Sequence, residues 1–271
     1  MSADERIGGV ARERLAADLA VRGGRLALEY FHQARVSWKA DGSMRTDAAV
    51  AVQEALAAAI ARDFPDDAVM GEEAGSEAPG PRPALYSWVL DAIGGIDNFG
   101  RGLPGFSVSI GVLRNRLPFA GAVYDPIARW LFTACAGRGA WLNDRPLHAP
   151  AASLSAESLV SIRTPLEDDG VAEEWRRRHR ARRFGSTALH LCYLAMGGLD
   201  LVHDHEATLW DVGGAAPIVL EAGAVVTRAD GSALFPAAAS EVAGGSLPIL
   251  AGNRLSHRQA LGNLASASPV G

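Results

Sequence analysis

Cysteine is scarce in this chain of 271 residues: Cys135 and Cys192 are the two it has. Both lie in apolar stretches, LFTACAG and LHLCYLAMG. They read as buried reduced thiols, and neither a disulfide framework nor a cysteine nucleophile is expected. Long apolar runs are missing as well. No stretch reaches the ~18 to 20 apolar residues of a spanning helix, and the opening MSADERIGG lacks the basic and apolar regions of a secretory leader. A cytoplasmic protein with no membrane partner is expected. Positive charge is also short: 26 Lys and Arg stand against 31 Asp and Glu, for a net charge of −5. No global basic field draws the chain to nucleic acid, so any anionic ligand has to be held locally. No internal repeat and no long disorder-like tract is visible. What is present is 48% hydrophobic residues, enough for the core of one large domain or two closely joined ones.

Helical patterning runs from Ala3 to about Gln33, with a candidate break at Gly23-Gly24. A second helix spans Thr46 to Phe64, capped by Thr46 or Asp47. Short apolar runs of strand character follow: AVM before Gly71, LYSWVLDAI, FSVSIGVL, FAGAVYD and RWLFTAC, separated by Gly, Pro, Asn and Asp. After APAASLSAES, the strands SLVSIRT, LDLVH and LPILAGN alternate with helical TALHLCYLAMGG and ATLWDVGGAAPIVLEAG, an α/β pattern. The boundary is expected near Pro150. Residues 1–150 would form an α+β subdomain with most of the ligands discussed next, and residues 151–271 an α/β subdomain, the two making one compact unit.

Acidic residues stand where the chain changes direction: Glu72 and Glu73 in MGEEAG, Asp91 in VLDAIGG and Asp211 in LWDVGGAAP. Hard divalent cations take several carboxylate and carbonyl oxygens, which can converge from distant strand ends and helix starts. Taken alone, Glu72 and Glu73 read as solvated turn residues. Asp91 is different, because a carboxylate ending the apolar run LYSWVL is costly unless it is paired or coordinated. Gly94 and Gly95 allow close backbone approach to a ligand. Asp97-Asn98 can start a helix whose free N–H groups bind phosphate.

Seven segments, in order, resemble the inositol monophosphatases and their relatives among lithium-sensitive, Mg²⁺-dependent phosphatases. They are KADGSMRT from Lys39, GEEAG from Gly71, WVLDAI from Trp88, NFGRGLPGFSVSIGV from Asn98, GAVYDPIARWLFTACAGRGAWLNDRPL from Gly121, GSTALHLCYLAMGGLDLV from Gly185 and WDVGGAAPIVLEAGAVVT from Trp210. The resemblance implies a layered α-β-α-β-α sandwich and a homodimer. It assigns Glu72 and Asp91 to catalysis and to a first Mg²⁺, or Mn²⁺, together with the Ile93 carbonyl. Asp91 and Asp211 would share a second ion. Phosphate would rest on the amides of Gly95 and Ile96, and Gly185, Ser186, Thr187 and Asp204 would face the substrate.

The departures from the family matter as much. The family wording D-P-I-D-G-T is replaced by Asp91, Ala92, Ile93, Gly94, Gly95 and Ile96, so a metal-binding aspartate and a water-orienting threonine are absent. In the family's T-x-x-D, which follows Thr46, an ungapped reading puts Ala49 at the aspartate, and a one-step shift would bring in Asp47. Fewer ions than usual are expected. Three readings follow. The first is a phosphomonoesterase of a small sugar, polyol or related phosphate, with weak or altered activity and water activated by metal alone or by a substitute such as Asp97. The second is a silent protein that binds a phosphorylated ligand or a protein partner. The third is an enzyme with altered, non-hydrolytic or transfer chemistry. The surviving carboxylates place the first ahead.

Two further motifs carry unusual residue types. VHDHE puts His203 and His205 on one side of a strand, as in a zinc site, but no third and fourth ligand is evident; the two histidines could also add contacts to an anion. The basic WRRRHRARR, Trp175 to Arg183, reads first as a solvated helix end and second as an anion or nucleic-acid contact.

Overall fold

The Ala-rich opening segment forms α1 (Ala3–Tyr30) in the computed structural model, which describes residues 3–39, 42–73, 84–163, 170–242 and 244–267. The expected break at Gly23-Gly24 does not occur. These glycines serve packing: a Cβ on Gly24 would lie 2.5 Å from the Tyr124 ring, so the absent side chain lets an unbroken helix press against a sheet. A hairpin of β1 (Val36–Trp38) and β2 (Met44–Thr46) leads into α2 (Asp47–Asp63). The cap of α2 is Thr46, whose hydroxyl accepts the Ala49 N–H at 3.1 Å. Asp47 turns instead to the Arg35 N–H.

Next come β3 (Ala68–Gly71), β4 (Tyr86–Gly94), the short α3 (Ile96–Gly100), β5 (Ser107–Arg114), β6 (Leu117–Asp125), β7 (Trp130–Cys135), β8 (Ala140–Leu142) and β9 (Arg145–Leu147). Seven strands, β3 to β9, join in sequence order into one sheet, parallel only between β3 and β4. The remainder supplies β10 (Leu159–Arg163), α4 (Gly170–Arg178), β11 (Arg180–Ala181), α5 (Thr187–Ala195), β12 (Leu201–Asp204), α6 (Leu209–Gly213), α7 (Ala215–Glu221), β13 (Val225–Arg228), α8 (Ala239–Val242), β14 (Ile249–Gly252) and α9 (Arg254–Ala267). Its strands form a second sheet in the order β11-β10-β12-β14-β13.

Three apolar clusters hold the layers together. Between α1, α2 and the large sheet lie Leu56, Trp88, Leu90 and Ile110. Between the two sheets, α5, α6 and α7 contribute Leu189, Leu191, Val212 and Ile218. Outside the small sheet, Trp175, Leu201 and Leu250 pack with α4 and α9. The result is the α-β-α-β-α sandwich. Cys135 and Cys192 are buried in different clusters as free thiols, and burial pushes both pKa values up, to about 12 for Cys135. Among the described residues no helix is long and apolar enough to cross a membrane.

Candidate active site

Strand alternation aims Asp91 at the central layer. Trp88, Leu90 and Ala92 face the α1/α2 cluster while Val89 faces the other way, so Asp91 shares the side of Val89. Asp211 comes to meet it because α6 and α7 join at Gly213-Gly214 with almost no clearance from the sheet. A Cβ on Gly121 would lie 2.0 Å from the Gly214 carbonyl oxygen, and one on Gly111 2.4 Å from the Gly213 carbonyl. Glu72 follows directly on β3, the strand paired with β4.

The charges act on one another. Burial pushes the Asp91 carboxyl well up, Glu72 and Asp211 push it further, and the Ile93 N–H opposes them. Asp211 is pushed up to about 7, first by burial, then by Asp204 and, more weakly, Glu72, against hydrogen bonds from Thr208. Burial likewise raises Glu73, against the pull of Lys39. Yet among the described residues no three Asp, Glu, His or Cys groups converge as a ready-made metal centre. Side-chain direction reconciles the two observations. Glu72 Oε1 is drawn to Lys39 Nζ at 2.7 Å, and Asp211 Oδ2 accepts the Thr208 N–H and hydroxyl at 2.8 and 2.9 Å. Glu73 is likewise held, by Lys39 at 3.4 Å and Arg45 at 3.0 Å.

Positive φ falls on Gly95 (85°), the residue that starts α3. A Cβ there would meet the Gly105 carbonyl at 2.6 Å and the Ser186 N at 2.9 Å, so the turn lies flat against Gly185-Ser186. The Asn98 and Phe99 N–H groups of α3 donate to the Gly95 carbonyl at 3.0 and 3.2 Å, and the N–H groups before them are the ones that a helix start leaves without an intrahelical acceptor. Ser186 caps α5 and shares a 2.8 Å hydrogen bond with Ser107, and Thr187 donates to Asp204 Oδ2 at 2.6 Å. Gly94 ends β4 beside Asp91: a Cβ there would lie 2.5 Å from Asp91 Oδ2. Ala49 is buried and Ile96 packs on the same apolar cluster, while Asp47, the one-step alternative to Ala49, accepts the Arg35 N–H. Asp97 is 74% exposed and pairs with Arg101, turned to the surface.

His203 and His205 do not build a zinc site among the described residues. The His203 ring is fully buried and meets Trp175 and His205 edge-on at 5.3 and 4.4 Å. In the basic run, Arg176 and Arg178 pair with Glu173 and Glu174 of the same helix, as a solvated helix end does. Three cations escaped the sequence reading: Lys39, Arg45 and Arg163. Lys39 follows β1 and Arg45 lies in β2, where their charges are easily lost among other exposed ones. Arg163 gains its meaning only when β10 pairs with β12 and lies beside Asp204.

The Inositol monophosphatase family profile matches residues 12–266. Inositol monophosphatase 1 of Solanum lycopersicum is 33% identical over 231 residues, covering 80% of this chain and 84% of that protein. Inositol-1-monophosphatase SuhB of Mycobacterium tuberculosis is 35% identical over 263 residues, covering 84% and 87%. Among solved structures, the extragenic suppressor protein suhB of Bartonella henselae superposes with a TM-score of 0.82 at 25% identity, covering 94% of this chain and 98% of that one. Fold, ordered segments and a match over nearly the whole length agree: the chain belongs to the inositol monophosphatase family, a family of phosphoric monoester hydrolases.

Proposed function

We propose that this chain hydrolyses the phosphomonoester of a small polyol, sugar or related molecule, slowly and with the help of one divalent ion, Mg²⁺ or Mn²⁺. The observation that carries the reading is the buried cluster of mutually opposed carboxylates. The largest influences on Asp91, apart from burial and the Ile93 N–H, are the acids Glu72, Asp211 and Glu73, and such a field favours a bound cation. Glu72, Asp91, Asp211 and the Ile93 carbonyl supply the oxygen donors a hard ion takes, and would hold one once Glu72 turns from Lys39 and Asp211 from Thr208. Gly94 in place of an acid leaves a second ion short of a ligand. The chemistry an ion supplies here when bound is polarisation of the phosphoryl oxygens and relief of charge on the leaving oxygen.

The chain's own residues do the rest. The N–H groups at Gly95 and Ile96 receive the phosphoryl oxygens, and the contact of Gly95 with Gly105 and Ser186 fixes their direction. Glu72 must leave Lys39 to reach a cation. Ile96 and Ala49 offer no group to take a proton from water, and loss of a general base lowers rate by ~10² to 10⁴. That same loss favours, as a second reading, an acceptor other than water. Calorimetry with Mn²⁺, run beside phosphate release from inositol 1-phosphate, tests both. Weak single-site binding with slow release is expected. No binding at millimolar metal by folded protein overturns the metal reading, and brisk turnover overturns the role given to Ile96 and Ala49.

A further inference from the structure

The parallel pairing of β10 with β12 sets Arg163 beside Asp204 at one wall of the site. Asp204 is 1% exposed, and both its oxygens are engaged: Oδ1 accepts the Glu206 N–H at 2.9 Å and Oδ2 the Thr187 hydroxyl at 2.6 Å. It has little left to offer a substrate hydroxyl. Arg163 is placed differently. Its Nε meets Glu206 at 2.7 Å, an Nη lies 3.9 Å from Asp204, and the side chain remains 36% exposed. Burial opposes its charge, but Asp204, Glu206 and Asp211 together outweigh burial, so the guanidinium stands within the field of a candidate metal ligand.

Resting on the phosphatase reading above, we infer that Arg163 determines specificity: it exchanges Glu206 for a carboxylate of the substrate and so selects phosphomonoesters of small carboxylic acids over those of neutral polyols. The socket already holds a carboxylate, and a planar guanidinium matches that group. Glu206 is 47% exposed, and half-exposed pairs of this kind are weak, so like can replace like. A neutral hydroxyl does not displace a charged partner. A second phosphate, carrying more charge, is opposed by Asp204 and Asp211 behind the guanidinium.

Glycerol 3-phosphate and 3-phosphoglycerate share a skeleton and differ in a hydroxymethyl group against a carboxylate. Calorimetric affinities for both, measured in Mg²⁺ beside phosphate release, test the assignment. The protein is expected to bind 3-phosphoglycerate about tenfold more tightly, the scale of one charge-assisted pair. Arg163→Gln should bring the ratio close to one, Arg163→Lys should recover part of it, and Glu206→Gln should widen it. Opposite signs for Arg163→Gln and Glu206→Gln separate ligand selection from an ion pair that only props the wall, because loss of a prop moves both variants the same way. A ratio near one in the unaltered protein, or equal loss of both ligands in both variants, overturns the assignment. Preferential binding without phosphate release upholds the selection by Arg163 while refuting the phosphatase reading.

Discussion

Gly94, Ile96 and Ala49 carry the question that this family member poses, and each has a physical constraint. Gly94→Asp supplies a ligand for a second ion, but its Cβ would sit 2.5 Å from Asp91 Oδ2, so the Asp91 carboxylate has to swing aside. Ile96→Thr offers a hydroxyl to water. Ala49→Asp gives that hydroxyl an acceptor, at a site only 1% exposed, where a carboxylate without a partner costs more than the roughly 1–3 kcal/mol of a neutral polar group. The three changes together should raise turnover of a generic phosphomonoester by more than the product of their separate effects, since parts of one relay act as a unit. Turnover and Mg²⁺ titration, with circular dichroism to check folding, decide it; a folded, metal-binding triple variant with no gain means that the pocket serves an acceptor other than water. At this scale the sequence was partly legible. Asp91 announced itself as a carboxylate ending an apolar run. Positive φ could be suspected at Gly94 or Gly95 alike, and only the turn packed on Ser186 assigns it to Gly95. Arg163 was invisible, because an arginine at the end of a strand looks like any solvated cation until its parallel neighbour is known.

Elements were easier to read than the contacts between them. Thr46 or Asp47 before an apolar periodic run marks the cap of α2, and the structure gives it to Thr46. Gly23-Gly24 misled because local propensity treats two glycines as a helix breaker, while the deciding fact is the distant Tyr124 ring. Helix α5 offers a test of how such burial acts on chemistry. His190 Nε2 accepts the Phe184 N–H at 2.8 Å and so holds the loop that leads to Ser186. Burial first, and then Arg183 and Arg163, push its pKa from 6.5 down to about 4. For a base with a depressed folded pKa, the unfolded chain takes up the proton first. The stability contribution is therefore full above pH 6.5 and is lost as pH falls toward 4, at about 1.4 kcal/mol per pH unit. The stability gap between the protein and a His190→Gln variant, from urea unfolding at successive pH values, should close across that window, and the His190 ring should stay neutral by NMR to near pH 4. A ring that titrates near 6.5 would show that the loop does not shield it.

For the whole molecule, the sandwich works because two sheets share one helical layer, and the site depends on how closely that layer lies on the large sheet. Strand and helix patterning made the layers legible, but not their spacing, which rests on glycines facing glycines across the interface. Gly121 in β6 carries none of the proposed chemistry. Even so, a Cβ there would lie 2.0 Å from the backbone oxygen of Gly214, and backbone cannot rotate away as a side-chain tip can. Gly121→Ala should therefore lift the α6–α7 junction, at a cost of about 1–3 kcal/mol or more, and carry Asp211 away from Asp91. Mn²⁺ affinity should fall with stability. Leu250→Ala in the outer cluster is the control. It removes a fully buried side chain and should lose about 2–5 kcal/mol, yet it leaves the α6–α7 junction in place and the metal affinity near its starting value. Urea unfolding and Mn²⁺ calorimetry on both variants separate general loosening from displacement of one ligand. If the two variants lose affinity alike, the ligands depend on overall stability, and the close approach of Gly214 to the sheet is not what positions Asp211.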